Sequence, residues 1–140
     1  MIVVDASLGV KWFLDEAGSE EAIAVLVEHR SDIIAPDLFS IEVAAALVRE
    51  INAKRDDNTR YGWELGRLLA LFESEAVMLQ RVPPNLIANA TAVAVEIGHP
   101  LKDCIYLALA IAERCDLFTC DARFAAKAAR WERSIKLIAG

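Results

Sequence analysis

The sequence holds 140 residues, about one domain, of which 56 % are hydrophobic, and its formal net charge is −6. That length supports a real hydrophobic core, and the acidic balance argues against nonspecific nucleic-acid binding by the chain as a whole. No stretch approaches the ~20 uninterrupted apolar residues of a membrane-spanning helix, and no basic leader followed by a long apolar segment marks a signal peptide, so a cytoplasmic protein is expected.

In chain order, Ile2–Asp5 is apolar and β-branched and reads as a buried strand. Helices are predicted over Ser7–Asp15 and Ser19–Arg30, separated by Gly18. Asp32–Ala35 is a second strand, ended by Pro36. Asp37 can cap a long helix running to about Lys54, with Ile41, Ala45 and Val48 on one face. Asp56-Asp57-Asn58 breaks it, and a further helix covers about Thr59 to Ser74. Val77–Gln80 is a third strand. Pro83-Pro84 starts a helix to about Ile97, closed by the turn Gly98-His99-Pro100. Asp103–Arg114 is a helix, Leu117–Cys120 a strand, Ala122–Trp131 a helix and Ile135–Ile138 a last strand. Strands separated by helices predict a parallel sheet covered on both faces, with residues 1–140 forming one α/β domain. The three cysteines, Cys104, Cys115 and Cys120, are odd in number and form no metal-type pair, so they read as reduced thiols. The apolar excess hints at a buried interface with a second copy or a partner, although alanine supplies much of it.

Four acids stand out against this background. Asp5 closes the first strand, Glu42 is the only charge in Ile41–Val48, Asp103 opens the run Cys104–Ala112, and Asp121 follows Leu117–Cys120. A carboxylate beside a packed core is costly unless something pairs with it or binds it. Each has an ordinary alternative: Asp5, Asp103 and Asp121 can be helix caps, and Glu42 can lie on an exposed face. Ligands of open α/β sheets bind at the carboxyl ends of the strands, where Asp5 and Asp121 both fall. Ser7, two residues after Asp5, and Thr119, two before Asp121, each add a hydroxyl. Asp116 is excluded, because it lies at the far end of its strand, about 16 Å from Asp121 at ~3.3 Å per residue. His29 and His99 show no spacing of a zinc site or a catalytic triad, and the glycines form no phosphate loop.

Residues 122–140 carry Arg123, Lys127, Arg130, Arg133 and Lys136 against Glu132 alone. Arg123, Lys127 and Arg130 recur at spacings of four and three and so share a helix face. They can be phosphate contacts beside an anion-repelling site, or a solvated face with cations near a helix C-terminus.

The segments Ile2-Val-Val-Asp-Ala-Ser7, Ala35-Pro-Asp-Leu38 followed by Glu42-Val-Ala-Ala-Ala-Leu47, Asp103-Cys-Ile-Tyr-Leu-Ala-Leu-Ala110 and Phe118-Thr-Cys-Asp121 together resemble the PIN-domain nucleases, and among them the VapC toxins of bacterial toxin–antitoxin pairs. The likeness runs from Ile2 to about Phe124. It implies a three-layer α/β/α sandwich with a central parallel sheet and a metal-dependent endoribonuclease that uses Mg²⁺ or Mn²⁺. By match to the family's motifs, Asp5, Glu42, Asp103 and Asp121 form the acidic quartet, with Ser7 and Thr119 as supporting hydroxyls. Asp5 and Asp103 are expected as the most direct metal contacts, and Glu42 and Asp121 as holders of a second ion or of ordered water. The resemblance further implies an RNA substrate, a small cognate antitoxin whose peptide fills the groove, and a homodimer. One departure is Lys102-Asp103-Cys104, where many members carry a small or aromatic residue before the acid and alanine after it. An RNA-processing nuclease without an antitoxin, and an inactive regulatory or nucleic-acid-binding module, are the alternatives. A phospho-acceptor receiver fits less well, since Ala-Ser rather than further acids follow Asp5.

Overall fold

A computed structural model describes residues 1–54, 59–129 and 135–138, with the backbone alone described over 59–62. The elements run β1 (Ile2–Val4), α1 (Ala6–Val10), α2 (Ser19–Glu28), β2 (Ile33–Pro36), α3 (Leu38–Ala53), α4 (Thr59–Glu73), β3 (Met78–Gln80), α5 (Pro84–Ile97), α6 (Leu101–Glu113), β4 (Asp116–Thr119), α7 (Ala122–Ala128) and β5 (Ile135–Leu137). The strands form one parallel sheet in the order β3-β2-β1-β4-β5. Val3, Val4, Ile33, Ile34, Ala35 and Leu117 are buried, as expected of parallel strands covered on both faces. Right-handed crossovers put α1–α4 on one face, because β1, β2 and β3 step in one direction. The return to β4 and β5 steps the other way and puts α5–α7 on the opposite face. The chain is therefore the α/β/α sandwich with a parallel sheet that the sequence implied.

The order reverses between β1 and β4, and this switch point is where a crevice opens at the strand carboxyl ends. Val4 pairs with Phe118, and the Asp5 N–H continues the ladder to the Phe118 carbonyl at 3.2 Å. Asp5 and Thr119 thus leave neighbouring strands side by side. Asp116 pairs with Ile2 at the opposite end of the sheet.

Several local expectations shift. The first helix is shorter than Ser7–Asp15: after Val10 the chain tightens into three-residue turns (Trp12 N–H to Gly9 O and Phe13 N–H to Val10 O, each 3.1 Å). These turns aim Trp12 into the core, where its indole N–H donates to Ala22 O at 2.8 Å. The stripe of Ile41, Ala45 and Val48 faces outward, with Ile41 71 % and Val48 47 % exposed; Phe39, Val43 and Leu47 form the buried face of α3. Asp37 stands at the N-cap position of α3 without a side-chain capping bond. Helix α6 begins at Leu101 behind Pro100, so Asp103 lies inside its first turn and does not cap it. Of the tryptophans, Trp12 is core and Trp63 exposed. Trp131, Arg130, Arg133 and the break at Asp56–Asn58 lie outside the described residues.

Gly9 sets the approach of α1 to α3. A Cβ there would meet the Phe39 ring at 2.6 Å. That closeness brings the start of α1, with Asp5 and Ser7, against the helix that carries Glu42.

Candidate active site: an acidic cleft at the strand ends

Asp5, Ser7, Glu42, Arg49, Lys102, Asp103 and Asp121 line one cleft of about 210 Å³. Four elements deliver them. Asp5 and Ser7 come from the β1–α1 junction, Glu42 and Arg49 from α3, Lys102 and Asp103 from the first turn of α6, and Asp121 from the β4–α7 junction. The fold therefore brings the four acids named from the sequence to a single place.

Asp5 is the most enclosed of them, only 2 % exposed. Its Oδ1 accepts from Ser7 Oγ at 2.6 Å and from the Leu8 N–H at 3.2 Å, so it caps α1 as well. Its Oδ2 accepts from the Thr119 hydroxyl. The two hydroxyls are themselves oriented, since Ser7 Oγ accepts from the Cys120 N–H at 2.9 Å and Thr119 Oγ1 from the Asp121 N–H at 3.0 Å. Each hydroxyl has one hydrogen, and both are spent on Asp5. The 3.1 Å approach of Ser7 to Thr119 is then a contact without a hydrogen of its own. Burial still outweighs these donors and lifts the Asp5 carboxyl from 3.8 to about 6, with the nearby charge of Asp103 adding to the rise.

Glu42 is held from both sides. Buried Tyr106 donates from its phenol to Oε1 at 2.8 Å, and Lys102 Nζ lies 3.2 Å from Oε2. Burial, together with the charges of Glu42 and Asp5, raises the Tyr106 pKa, which keeps the phenol a donor. Lys102 Nζ also lies 3.1 Å from Asp103 Oδ1. Partial burial works against its charge, but its bonds to Asp103 and Glu42 prevail and its pKa stands above the ordinary value. Asp103 Oδ2 is 2.7 Å from His99 Nε2. Asp121 caps α7 through the Phe124 N–H at 3.0 Å.

Ligand atoms of His99, Asp103 and Asp121 lie within 4.8 Å of one another. Asp5 and Glu42 line the same cleft outside that trio; the Asp5 oxygens accept from the two hydroxyls, and the Glu42 oxygens face Tyr106 and Lys102. The donor set suits a hard divalent cation: carboxylates from four elements line the cleft, and those of Asp103 and Asp121 come close to one another. The cleft also already accommodates a positive group, the Lys102 ammonium between Glu42 and Asp103.

The basic helix is less directly engaged. Arg123 is exposed on α7, and Lys127 Nζ donates to Gly98 O at 2.6 Å, bracing the turn before α6. Arg130, the third member of that face, lies outside the described residues. Four residues of the site escaped sequence reasoning. Arg49 follows Glu42 by two helical turns, Tyr106 follows Asp103 by three residues, and His99 precedes Asp103 by four; these spacings are visible in the sequence. Lys102 shows in the sequence only as a departure from the family pattern.

Comparison with known proteins defines the class. The sequence model of the PIN domain matches residues 2–130, and the chain belongs to the PIN-domain family. It has the PIN fold, and its structure is similar to that of a VapC toxin. Among solved structures, PAE2754 from Pyrobaculum aerophilum superposes with a TM-score of 0.70 at 22 % identity, covering 98 % of this chain and 88 % of that one. VapC20 of Mycobacterium tuberculosis, described as a sarcin–ricin loop cleaving toxin, gives a TM-score of 0.69 at 18 % identity over 90 % and 94 % of the two chains. A chain of a toxin–antitoxin complex from Klebsiella pneumoniae gives 0.63 at 20 % identity over 88 % of each. No curated protein matches the sequence. No helix among the described residues is long and apolar enough to cross a membrane.

Proposed function

We propose that the protein is a divalent-metal-dependent endoribonuclease acting as the toxin of a type II toxin–antitoxin pair. The observation that carries this reading is the convergence of Asp5, Glu42, Asp103 and Asp121 in one cleft at the switch point of a PIN fold. Likeness to a toxin described as cleaving the sarcin–ricin loop and to a chain of a toxin–antitoxin complex supports RNA as substrate and a small antitoxin as partner. Exposed Ile41, Val48 and Leu69 on α3 and α4 suit a covering partner, and a homodimer is the proposed assembly.

On this reading the four acids hold Mg²⁺ or Mn²⁺, with Asp5 and Asp103 as the most direct contacts. The cation, when bound, supplies Lewis acidity that activates water and offsets charge on a phosphodiester during in-line displacement. Ser7 and Thr119 fix the Asp5 carboxylate, and Tyr106 fixes Glu42. Arg49 and Lys102 supply positive charge within the cleft for a phosphate, and Arg123, Lys127 and Arg130 extend it along the bound strand.

Incubating the purified protein with a mixed RNA pool, with and without EDTA, and mapping the ends by sequencing tests the proposal. Cleavage should require the metal and vanish in Asp5→Asn, together with growth arrest on expression. Metal-independent cleavage retained by pure D5N would overturn it.

A further inference from the structure

His99 plays no part in the chemistry above, yet its surroundings are more constrained than those of most surface-loop histidines. Gly98, in the left-handed region at φ +65°, ends α5, and Pro100 starts α6. Between them the His99 side chain is only 6 % exposed, with its ring stacked on Phe124 at 4.8 Å and 23°. Its backbone N–H donates to Ala94 O at 3.0 Å, and Lys127 braces the carbonyl of Gly98. The ring therefore has a fixed place and a fixed plane.

Nε2 lies 2.7 Å from Asp103 Oδ2, while Nδ1 is buried with no hydrogen-bond partner among the described residues. A hydrogen on Nδ1 would be an unsatisfied buried donor, whereas one on Nε2 points at a carboxylate. The geometry thus assigns the hydrogen to Nε2, and the ring donates to Asp103. With Lys102 on Oδ1, both oxygens of Asp103 are engaged. Lys102 is exposed whereas His99 is buried and stacked, so the firmer restraint comes from the histidine.

We infer that His99 is a positioning residue: its Nε2–H fixes the rotamer of Asp103 and so presents the free lone pairs of that carboxylate to the cation. The inference rests on the reading of the cleft as a metal site. Oriented carboxylates bind a cation without first losing side-chain freedom, and partners that orient metal ligands typically control affinity ten- to a hundredfold.

Titration of the full chain with Mn²⁺ by calorimetry tests this, alongside melting in EDTA. His99→Phe keeps the stack on Phe124 but removes the donor; it should melt near the wild type and bind Mn²⁺ roughly ten- to a hundredfold more weakly. His99→Gln, whose amide nitrogen can stand near the Nε2 position, should recover most of the affinity. Electron spin-echo spectra of the Mn²⁺-loaded wild type should lack a directly bound ¹⁴N. Wild-type affinity in H99F, no recovery in H99Q, or a direct ¹⁴N coupling would each overturn the inference. Should H99F fail to fold, the affinity of H99Q and the ¹⁴N spectrum decide. Asp103→Asn separates the two failures: unchanged Mn²⁺ binding in D103N refutes the cleft itself, whereas its loss alongside unaffected H99F refutes only the role of His99.

Discussion

Replacing Asp5 by Asn should stabilise the metal-free protein at neutral pH while removing its function. The Asp5 carboxyl is raised from 3.8 to about 6 because burial strips it of water. A carboxyl raised in the fold favours folding at low pH, and that advantage is lost as pH rises from the unfolded value through the folded one. At ~1.4 kcal/mol for each tenfold change in proton affinity, holding Asp5 ionised at pH 7.5 costs about 3 kcal/mol. By the same relation the cost falls to about 1 kcal/mol at pH 4.5. Asn keeps the cap and can accept from Ser7 and the Leu8 N–H, losing only the direction of the Thr119 bond. Urea unfolding in EDTA should therefore show D5N more stable than the wild type by about 2–3 kcal/mol at pH 7.5, with the gap narrowing towards pH 4.5. Adding Mn²⁺ should reverse the order, since only the wild type gains from binding. A D5N protein less stable than the wild type throughout that range would refute the reasoning, because the bonds to the ionised carboxylate would then outweigh its burial.

Lys102→Met removes the ammonium that lies between Glu42 and Asp103, and with it a competitor for the same oxygens. Because Lys102 is 59 % exposed and well screened, the gain in Mn²⁺ affinity should be modest, several-fold by calorimetry; weaker binding by K102M would show that the lysine assists the site. Gly9→Ala drives a methyl into the Phe39 ring, which is fully buried and packed between Trp12 at 6.0 Å and Phe72 at 6.3 Å. Such overpacking costs about 1–3 kcal/mol, read as a lower urea midpoint at unchanged slope, and an unchanged midpoint would mean that α1 moves away at no cost.

The sheet was legible because its strands are short apolar runs punctuated by Pro36, Asp5 and Asp121, each of which ends or caps an element. The face of α3 was not, because Ile41, Ala45 and Val48 and the alternative set Phe39, Val43 and Leu47 are both apolar at helical spacing. Pattern alone cannot say which set meets the sheet when a helix is apolar nearly all round. Asp5 and Asp121 could be placed at strand ends from sequence, but their meeting depends on β1 and β4 being neighbours across a long excursion through β2 and β3. Spacing carries no trace of that adjacency; the family resemblance supplied it. The spacing of His99 matches no zinc site, yet a residue four positions before an acid and one before a proline is well placed to face it.

The cleft holds its negative charge in two ways. Asp5 is surrounded by hydroxyl and backbone donors and loses its water, so its charge is costly and its geometry fixed. Asp103 and Glu42 keep more solvent and share the Lys102 cation, so their charge is offset by a group that can leave. A site with only the first arrangement would bind protons near neutrality in place of a cation, and one with only the second would have its charge already offset by the lysine. Combined, they give a cleft whose empty form is tolerated by the fold, and on the proposed reading the buried carboxylate would gain most from an arriving cation. Metal affinity should accordingly weaken as pH falls through about 6, where a proton begins to compete for Asp5.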